Sequence, residues 1–359
     1  MTRRLPALGA ALAWACCEPE APPPVPGPDL AWSQLVGGDL EVFARRDGVT
    51  QRLTTREGAD FAGPVAPDGG GLVVIHSAQD GDVLRQQLWL HPLEGGAPVA
   101  LSEVAPLVRN PRWAPSGEAV VYESSRDSFR DLYRATRDGV VTRLSRSPHG
   151  CFEPAPLGDG ETVIAPCSGQ DVDLYRLSGG AVPVGPLLVR QGEDGAPALS
   201  PDGATVAFLA AEGARVALHR LRHSDLQHRR VWAPDDTRRL VPDQGLVWSP
   251  DGGRVAAVTR GEDGDAAVVV VESDTGAVVA QEAGDLPAFT DDGALMVTHE
   301  DADGQGIFRV DPATGSRARV APPGAWLGRP LPLRPRQERR GAGGGAPHPT
   351  QGEKANSDG

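Results

Sequence analysis

The sequence predicts an all-β protein, a β-propeller built of four-stranded blades. Three observations support this fold class. A hairpin motif recurs six times along the chain, at intervals of 41 to 49 residues, which is the length of one propeller blade. Each copy is followed by β-branched segments, and no stretch shows sustained helical periodicity. The chain also contains 45 Gly and 34 Pro in 359 residues, a composition that disfavours long helices.

The motif is clearest at Trp113-Ala114-Pro115-Ser116-Gly117 and at Trp248-Ser249-Pro250-Asp251-Gly252. A hydrophobic residue ends one strand, Pro presets the backbone of the turn, Asp or Ser hydrogen-bonds locally, and Gly takes a positive φ. The six turn glycines are Gly69, Gly117, Gly160, Gly203, Gly252 and Gly293. An apolar residue stands three positions after each glycine and opens the second strand: Leu72, Val120, Val163, Val206, Val255 and Met296.

Residues 1–15 resemble an export signal of the bacterial lipoprotein type. Arg3 and Arg4 precede an apolar run from Leu5 to Ala15, and small residues lead up to Cys16. The run is too short to span a bilayer. We therefore expect lipid attachment at Cys16 and a lipid-anchored protein of the bacterial cell envelope, in the periplasm or at the outer membrane. Soluble export and a cytoplasmic location are the alternatives. Residues 16–29 are rich in Pro and predict a stiff, extended tether.

The propeller is predicted to occupy residues 30–333. Its first three strands, at 30–36, 40–43 and 49–53, represent the outer part of a blade that lacks its first strand. A lone strand at 325–327 or extending to Leu333 can complete that blade, and this closure removes the exposed edges of an open array. The prediction is thus seven blades, closed by pairing of the N- and C-terminal strands. Six blades with appended N-terminal strands is the alternative. Residues 334–359 are rich in Arg, Gly and Pro and are predicted to be disordered.

Six complete units follow the N-terminal strands. They start near Phe61, Val104, Cys151, Gly195, Leu246 and Leu286. Each unit has two strands around the motif turn and a third strand that carries one member of an aromatic or aliphatic column: Trp89, Tyr133, Tyr175, Leu218, Val270 or Phe308. A fourth strand follows, as at Thr142-Arg143-Leu144-Ser145.

Cys151 and Cys167 lie symmetrically about Asp159, the centre of the third motif turn. A hairpin closing at this turn places the two cysteines opposite each other, so we predict a cross-strand disulfide. A disulfide also agrees with an oxidising compartment. The alternative is a pair of buried free thiols.

The motif with its trailing aromatic strand resembles the TolB-type propeller repeat, which bacterial envelope propellers share with the propellers of prolyl-oligopeptidase-like enzymes. The resemblance covers residues 40–323. In this family the motif residues build the blade and are not a catalytic set, so the resemblance implies a fold but no functional residue. TolB carries a sizeable domain ahead of its propeller, whereas only a signal and a tether are expected here. The likeness is therefore to the family and not to TolB itself.

The formal net charge is −13, which disfavours nucleic acid and anionic lipid as partners and favours cationic ones. Loops between second and third strands are repeatedly acidic and form a candidate binding rim: Asp80, Asp82, Asp127, Asp171, Asp173, Asp263, Asp265, Asp301 and Asp303. This rim could attract a basic peptide or a divalent cation, although solvated turn aspartates have the same pattern. Asp301 to Gly304 has the opening spacing of a calcium loop but lacks the downstream Glu. We therefore expect no cofactor.

His219, His223 and His228 form the only histidine cluster of the sequence. The first two are too far apart along a strand, about 13 Å, to grip one metal ion. His76 and His299 are expected to be packed or channel-side residues. No nucleophile elbow, zincin motif, phosphate loop or dinucleotide fingerprint is present.

From these observations we expect a non-catalytic, lipid-anchored and monomeric propeller that binds or scaffolds an envelope protein or peptide. The alternative is a propeller enzyme of hydrolase or lyase type, acting on a small molecule or glycan in the central channel. Charged side chains converging on the channel would favour this alternative.

Overall fold

Short antiparallel strands joined by tight turns account for almost all of the regular structure. The computed structural model describes residues 29–334 apart from 128, 180–184, 323 and 325–327. The predicted signal at 1–15, Cys16, the tether up to residue 28 and the tail from residue 335 lie outside the described residues. In the described part no helix has the length and apolarity needed to cross a membrane.

The strands form six sheets. The first sheet combines the N-terminal strands, the first motif unit and the last strand: β1 (Leu30–Val36), β2 (Asp39–Arg46), β3 (Val49–Arg52), β4 (Ala59–Val65), β5 (Gly71–Asp80), β6 (Val83–Pro92), β7 (Val99–Ala100) and β28 (Leu331–Pro332). The second sheet contains β8 (Val108–Trp113), β9 (Ala119–Ser124), β10 (Asp131–Thr136) and β11 (Val141–Arg143). The third contains β12 (Ala155–Leu157), β13 (Thr162–Ser168) and β14 (Val172–Ser178).

The remaining sheets repeat the same plan. The fourth contains β15 (Asp194–Leu199), β16 (Thr205–Glu212), β17 (Arg215–Arg222) and β18 (Gln227–Trp232). The fifth contains β19 (Arg238–Leu240), β20 (Val247–Trp248), β21 (Arg254–Gly261), β22 (Ala266–Glu272) and β23 (Val278–Ala283), with a 3₁₀ turn at Pro242–Gln244. The sixth contains β24 (Asp285–Phe289), β25 (Leu295–Asp301), β26 (Gly304–Val310) and β27 (Arg317–Arg319). The predicted all-β class is confirmed.

Each motif turn joins the innermost strand of its unit to the second strand. Gly117 and Gly252 have φ values of 75° and 71°, and the other four turn glycines are also positive, as the motif requires. Ser249 shows why the turn is stable, because its hydroxyl donates to Asp251 while its main chain pairs with Arg254. The local chemistry of the motif therefore sets the hairpin.

Hydrophobic clusters fill the spaces between neighbouring sheets. Tyr122 and Tyr133 of the second sheet pack with Leu88 of the first, and Ile164 of the third sheet packs with Phe208 of the fourth. All of these side chains are almost completely buried. The sheets therefore pack face to face in sequence order, which is the packing of a propeller.

Buried acids join the third and fourth strands within a sheet. Asp131 accepts hydrogen bonds from the Ser145 hydroxyl at 2.5 Å and from Arg143 at 2.5 Å. Glu41 is held in the same way by Thr54, at 2.6 Å. Because each buried carboxylate has a hydroxyl and an arginine partner, its desolvation is compensated.

The first and last strands pair with each other. In β1, Leu30 lies opposite Pro332 and Ala31 opposite Leu331, and the Leu333 amide donates to the Asp29 carbonyl at 3.0 Å. A C-terminal strand thus pairs with β1 at the later of the two predicted positions. The earlier position, residues 325–327, lies outside the described part and is not tested.

Candidate functional site in the central channel

The innermost strands carry a repeated backbone irregularity. In four units the residue three positions before the motif's first residue has a positive φ although it is not glycine: Asn110, Glu153, Ala196 and Leu286, with φ between 49° and 51°. A proline follows each of them, and the strand register shifts at three of these places. Such bulges re-aim side chains and are common next to functional sites. We therefore looked for a site in the space between the innermost strands, which we call the channel.

Two glutamates link three successive units beside the channel. Glu123 is fully buried and accepts hydrogen bonds from the Asn110 side-chain amide at 2.5 Å and from the Glu153 backbone amide at 2.7 Å. The Glu153 carboxylate in turn accepts from the Ala196 amide at 2.7 Å. The backbone amides of two bulge residues are therefore satisfied by carboxylates of the preceding unit. Burial raises the pKa of Glu153, although the Ala196 amide opposes this.

Arg112 projects into the channel. Its side chain is solvent-exposed, yet it points across to the opposite wall, where Nη2 lies 4.0 Å from the position that a β-carbon on Gly245 would occupy. It makes no hydrogen bond or ion pair with another described residue. Desolvation lowers the pKa of Arg112, and the charges of Glu153 and Glu123 partly offset this. The exposure and the lowered pKa together fit a side chain that water reaches although protein surrounds it.

Arg329 brings a second guanidinium to the same space. It donates to the Pro287 carbonyl at 2.8 Å and to the Gln244 carbonyl. Burial is the first cause that lowers its pKa to about 10, and the positive charge of Arg112 is the second. Arg112 and Arg329 together form a cationic centre, and guanidinium groups are the preferred protein partners of carboxylates and phosphates.

One end of the channel opens in a depression of about 420 Å³. Its lining comes from the innermost strands of five units and includes seven prolines, Trp113 and Trp248. The indole Nε1 of Trp113 donates to the Pro64 carbonyl at 3.0 Å, and that of Trp248 to the Ala198 carbonyl at 2.9 Å. We call this depression the channel mouth. Arg112 forms part of its floor, and Arg334 lies at its edge.

The predicted acidic rim lies on the opposite side of the units, in the loops between second and third strands. Many of its members have partners within their own unit. Asp80 pairs with Arg85 at 3.0 Å, and Asp127 accepts from the Tyr133 hydroxyl at 2.8 Å. Asp265 and Asp301 pair with arginines, and Asp263 accepts a hydrogen bond from a turn amide. Burial raises the pKa of Asp173. Binding by this rim stays a prediction.

The structure separates the predicted histidine cluster. His219 and His228 stack across β17 and β18, with Nδ1 of His219 2.8 Å from Nε2 of His228, and Glu212 lies 2.9 Å from the other nitrogen of His219. His223 lies elsewhere and contacts the Gly203 carbonyl at 2.7 Å. Among the described residues no group of three or more His, Cys, Asp or Glu is placed to hold a metal ion.

His76 and His299 are not paired with each other. His76 lies 2.9 Å from the buried carboxylate of Asp60, and His299 meets Phe308 edge-on. The Asp60–His76 contact joins the first two strands of its unit. The predicted disulfide between Cys151 and Cys167 is present and makes a corresponding link in the third unit.

Sequence reasoning missed Arg112, Arg329, Glu123 and Glu153. One signal was available for four units. A proline precedes the motif's first residue by two positions, at Pro111, Pro154, Pro197 and Pro287, and marks the innermost strand. No pattern within a single repeat indicates that arginines from distant units meet.

No protein-family model matches the chain. A curated relative, the uncharacterized peptidase YuxL of Bacillus subtilis, is 26% identical over 115 residues, which are 30% of this chain and 18% of that protein. The chain thus matches less than a fifth of the length of this relative.

Solved structures with the same fold include TolB from Acinetobacter baumannii, with a TM-score of 0.52 and 14% identity over 85% of this chain and 82% of that one. An oligogalacturonate lyase in complex with manganese has a TM-score of 0.57 and 16% identity, covering 83% of this chain and 85% of the lyase. A puromycin-hydrolyzing peptidase of Mycobacterium tuberculosis has a TM-score of 0.57 and 15% identity, covering 82% of this chain and 52% of the peptidase. The chain is therefore a TolB-like propeller in fold and is not TolB itself.

These comparisons correct one expectation. The sequence led us to expect a protein that is not an enzyme, because no catalytic motif was found. The curated relative is named as a peptidase, and two of the three structures are enzymes by name. A motif search fails in a propeller because channel residues come from separate units and share no local signature. The expectation of a non-catalytic protein is wrong and is not retained.

Proposed function

We propose that the chain is a propeller enzyme of hydrolase or lyase type whose substrate is an anionic small molecule or glycan held in the central channel. One observation carries the proposal: Arg112 stands in the channel without a hydrogen-bond or ion-pair partner among the described residues. A guanidinium that is partly desolvated and lacks such a partner is destabilised, and a bound carboxylate or phosphate would compensate it.

Arg329 and Glu153 complete the proposed site. Arg329 is held by two backbone carbonyls of the fifth and sixth units, so it can supply positive charge with little loss of side-chain entropy. Burial raises the pKa of Glu153, which is the direction expected for a carboxyl group that exchanges a proton with a substrate. In this proposal the arginines bind and orient the anionic group, and Glu153 acts as the general acid or base.

The proposal includes seven blades closed in a ring. The innermost strands contact one another in the order β4, β8, β12, β15, β20, β24 and β28, and β28 contacts β4. Together with the pairing of β1 and β28, this order supports seven blades over the six-bladed alternative.

One of the similar structures supports this proposal in substrate chemistry. The lyase acts, by its name, on oligogalacturonate, an acidic glycan, and it is similar in length to this chain. The peptidase structure is about 1.6 times as long, since the match covers 82% of this chain and 52% of the peptidase. We therefore place acidic oligosaccharides first and peptides second among the substrates to be tested.

The subcellular location remains a proposal from the sequence. An anchor at Cys16 would hold the propeller at the bacterial envelope, and a basic envelope peptide bound by the acidic loops stays a proposed partner. The boundaries 1–15, 16–29, 30–333 and 334–359 belong to the same proposal.

The test uses the full chain with galacturonate oligosaccharides, neutral glucose oligosaccharides of equal length and peptide nitroanilides. Binding is measured by calorimetry, and products are separated by chromatography. We expect the acidic oligosaccharide to bind and to be cleaved, and Arg112→Gln to weaken binding at least about tenfold, as expected for a lost charged hydrogen bond. Arg239→Gln, on the exposed face of β19, is the matched control. Equal affinity of Arg112→Gln and wild type, or binding of neutral sugars alone, would refute the proposal.

A further inference from the structure

The channel mouth carries two guanidiniums without a protein partner in the described part of the chain. Arg112 lies at the floor of the mouth and Arg334 at its edge. Like Arg112, Arg334 is exposed and makes no hydrogen bond or ion pair with another described residue. Among the described residues that line the mouth, these two are the only charged ones. The mouth therefore offers a cationic group at each of its two levels.

The carboxylates close to these two arginines are used by backbone amides. Glu123 and Glu153, whose charges act on Arg112, accept hydrogen bonds from the amides of two bulge residues. The Asp29 carbonyl pairs with the residue before Arg334, and the Asp29 carboxylate accepts a backbone amide at 2.8 Å. None of these carboxylates lines the mouth, so a bound ligand meets the guanidiniums and not the acids.

Acidic motif turns adjoin the mouth but do not line it. Asp68 pairs with Arg137 at 2.9 Å, and the Asp159 carboxylate accepts a turn amide at 3.0 Å. The groove between the fourth and fifth units is lined by charged residues of both signs: Asp202, Asp251, Asp274, Arg220 and Arg222. Both arginines of this groove pair with aspartates. The groove is thus a surface of mixed charge, whereas the lining of the mouth is cationic.

The residues at the level of Arg112 leave the mouth open. Arg112 directly precedes the first residue of the motif in the second unit. The residues at the corresponding position of other units that also line the mouth are Pro64, Ala155, Ala198 and Val247. None of them has a long or charged side chain, so Arg112 alone crosses this space. The remaining volume, about 420 Å³, falls in the range of small-ligand sites, about 300–1,000 Å³.

The wall between the two arginines is preformed. It contains seven prolines, and the indole Nε1 atoms of Trp113 and Trp248 are already bonded to backbone carbonyls. A sugar ring can pack its C–H face against such rigid surfaces, while a carboxylate on the same ring pairs with a guanidinium. The wall and the two charges together suit an acidic sugar unit.

We infer that the channel mouth is a second substrate subsite, in which Arg334 binds the anionic group of the next unit of an acidic oligosaccharide. The inference rests on the proposed function, because it concerns the same class of substrate. The anionic group of one unit lies at Arg112 and Arg329, and the following unit lies in the mouth with its own anionic group at Arg334. The substrate is then an oligomer with charges on at least two successive units, and a single acidic sugar occupies only the inner subsite.

The test measures calorimetric binding to the full chain with galacturonate, digalacturonate, trigalacturonate, and digalacturonate in which either one of the two carboxyl groups is methyl-esterified. Wild type should bind digalacturonate about three- to fivefold more tightly than either ester, the gain expected for an exposed ion pair. Arg334→Gln should remove this gain and leave the affinity for galacturonate unchanged, whereas Arg112→Gln should weaken every probe. High salt should reduce the gain in wild type. Arg239→Gln is the matched control and should behave as wild type.

The outcomes separate this inference from the proposed function. If digalacturonate and both esters bound wild type equally, or if Arg334→Gln kept the gain, the second subsite would be overturned, while binding of galacturonate that depends on Arg112 would leave the proposed function intact. Equal weakening of galacturonate and digalacturonate by Arg334→Gln would also overturn it, because Arg334 would then act on the inner subsite. If no acidic probe bound, or if Arg112→Gln had no effect, the proposed function would fail and this inference with it.

Discussion

Replacing Glu123 by Ala tests whether the carboxylate network beside the channel holds three units together. The carboxylate is fully buried and accepts hydrogen bonds from Asn110 at 2.5 Å and from the Glu153 amide at 2.7 Å. A hydrogen bond to a charged group contributes about 1.5–3 kcal/mol. Its other partner, Arg130, lies 3.6 Å away and is partly exposed, so it can be hydrated after the change.

We expect Glu123→Ala to lower the free energy of unfolding by about 3–5 kcal/mol, because two donors lose a charged acceptor and one of them is a backbone amide. Glu123→Gln keeps one acceptor oxygen and should cost about half as much. Equilibrium unfolding in urea, followed by circular dichroism and fluorescence, measures both changes. Glu118→Ala, at an exposed motif turn of the same unit, should stay within about 0.5 kcal/mol of wild type. If Glu123→Ala also stayed within that range, the network would not join the units as described.

Three further predictions concern stability. Reduction of the Cys151–Cys167 disulfide, with a separation of 16 residues, should lower the free energy of unfolding by about 3 kcal/mol. Urea titration with and without reductant measures this loss, and an unchanged unfolding midpoint would contradict the prediction. Burial raises the pKa of Asp194 to about 6, so the folded state binds a proton on this carboxylate more tightly than the unfolded state does. The free energy of unfolding should therefore rise as pH falls from 7.5 to 4.5, by about 2–3 kcal/mol relative to Asp194→Asn. Parallel pH profiles of the two proteins would refute this prediction. Burial lowers the pKa of His219 to about 4, so this residue costs stability as pH falls below its unfolded value of 6.5. His219→Phe should therefore gain stability relative to wild type as pH falls from 7.5 to 4.5, and parallel pH profiles of the two proteins would contradict the buried histidine.

The hairpins could be predicted from the sequence because their determinants are local. Pro250, Asp251 and Gly252 lie next to one another, and their backbone preferences suffice for the turn. The disulfide was accessible for the same reason, since Cys151 and Cys167 flank one turn symmetrically. The C-terminal partner of the N-terminal strands could be predicted from the number of strands in each unit.

The candidate site could not be predicted in this way. Arg112, Gly245 and Arg329 come from three different units, and their meeting depends on how those units pack against one another. The acidic loops, by contrast, attracted attention because aspartates such as Asp80 and Asp301 are conspicuous in sequence, yet both pair with arginines of their own unit. Charge alone does not reveal whether a side chain already has a partner.

The pairing of β1 with β28 has a consequence for biosynthesis. Leu30 and its partner Pro332 lie at opposite ends of the described chain, and translation proceeds at about 5–20 residues per second. The free edge of β1 therefore waits for roughly 15–60 s before its partner leaves the ribosome. During this time a strand with buried Leu30, Ala31 and Trp32 offers unpaired amides and carbonyls to any neighbouring chain. The nascent propeller is thus most vulnerable to aggregation at its oldest strand, and a holdase that covers β1 should raise the yield of folded protein.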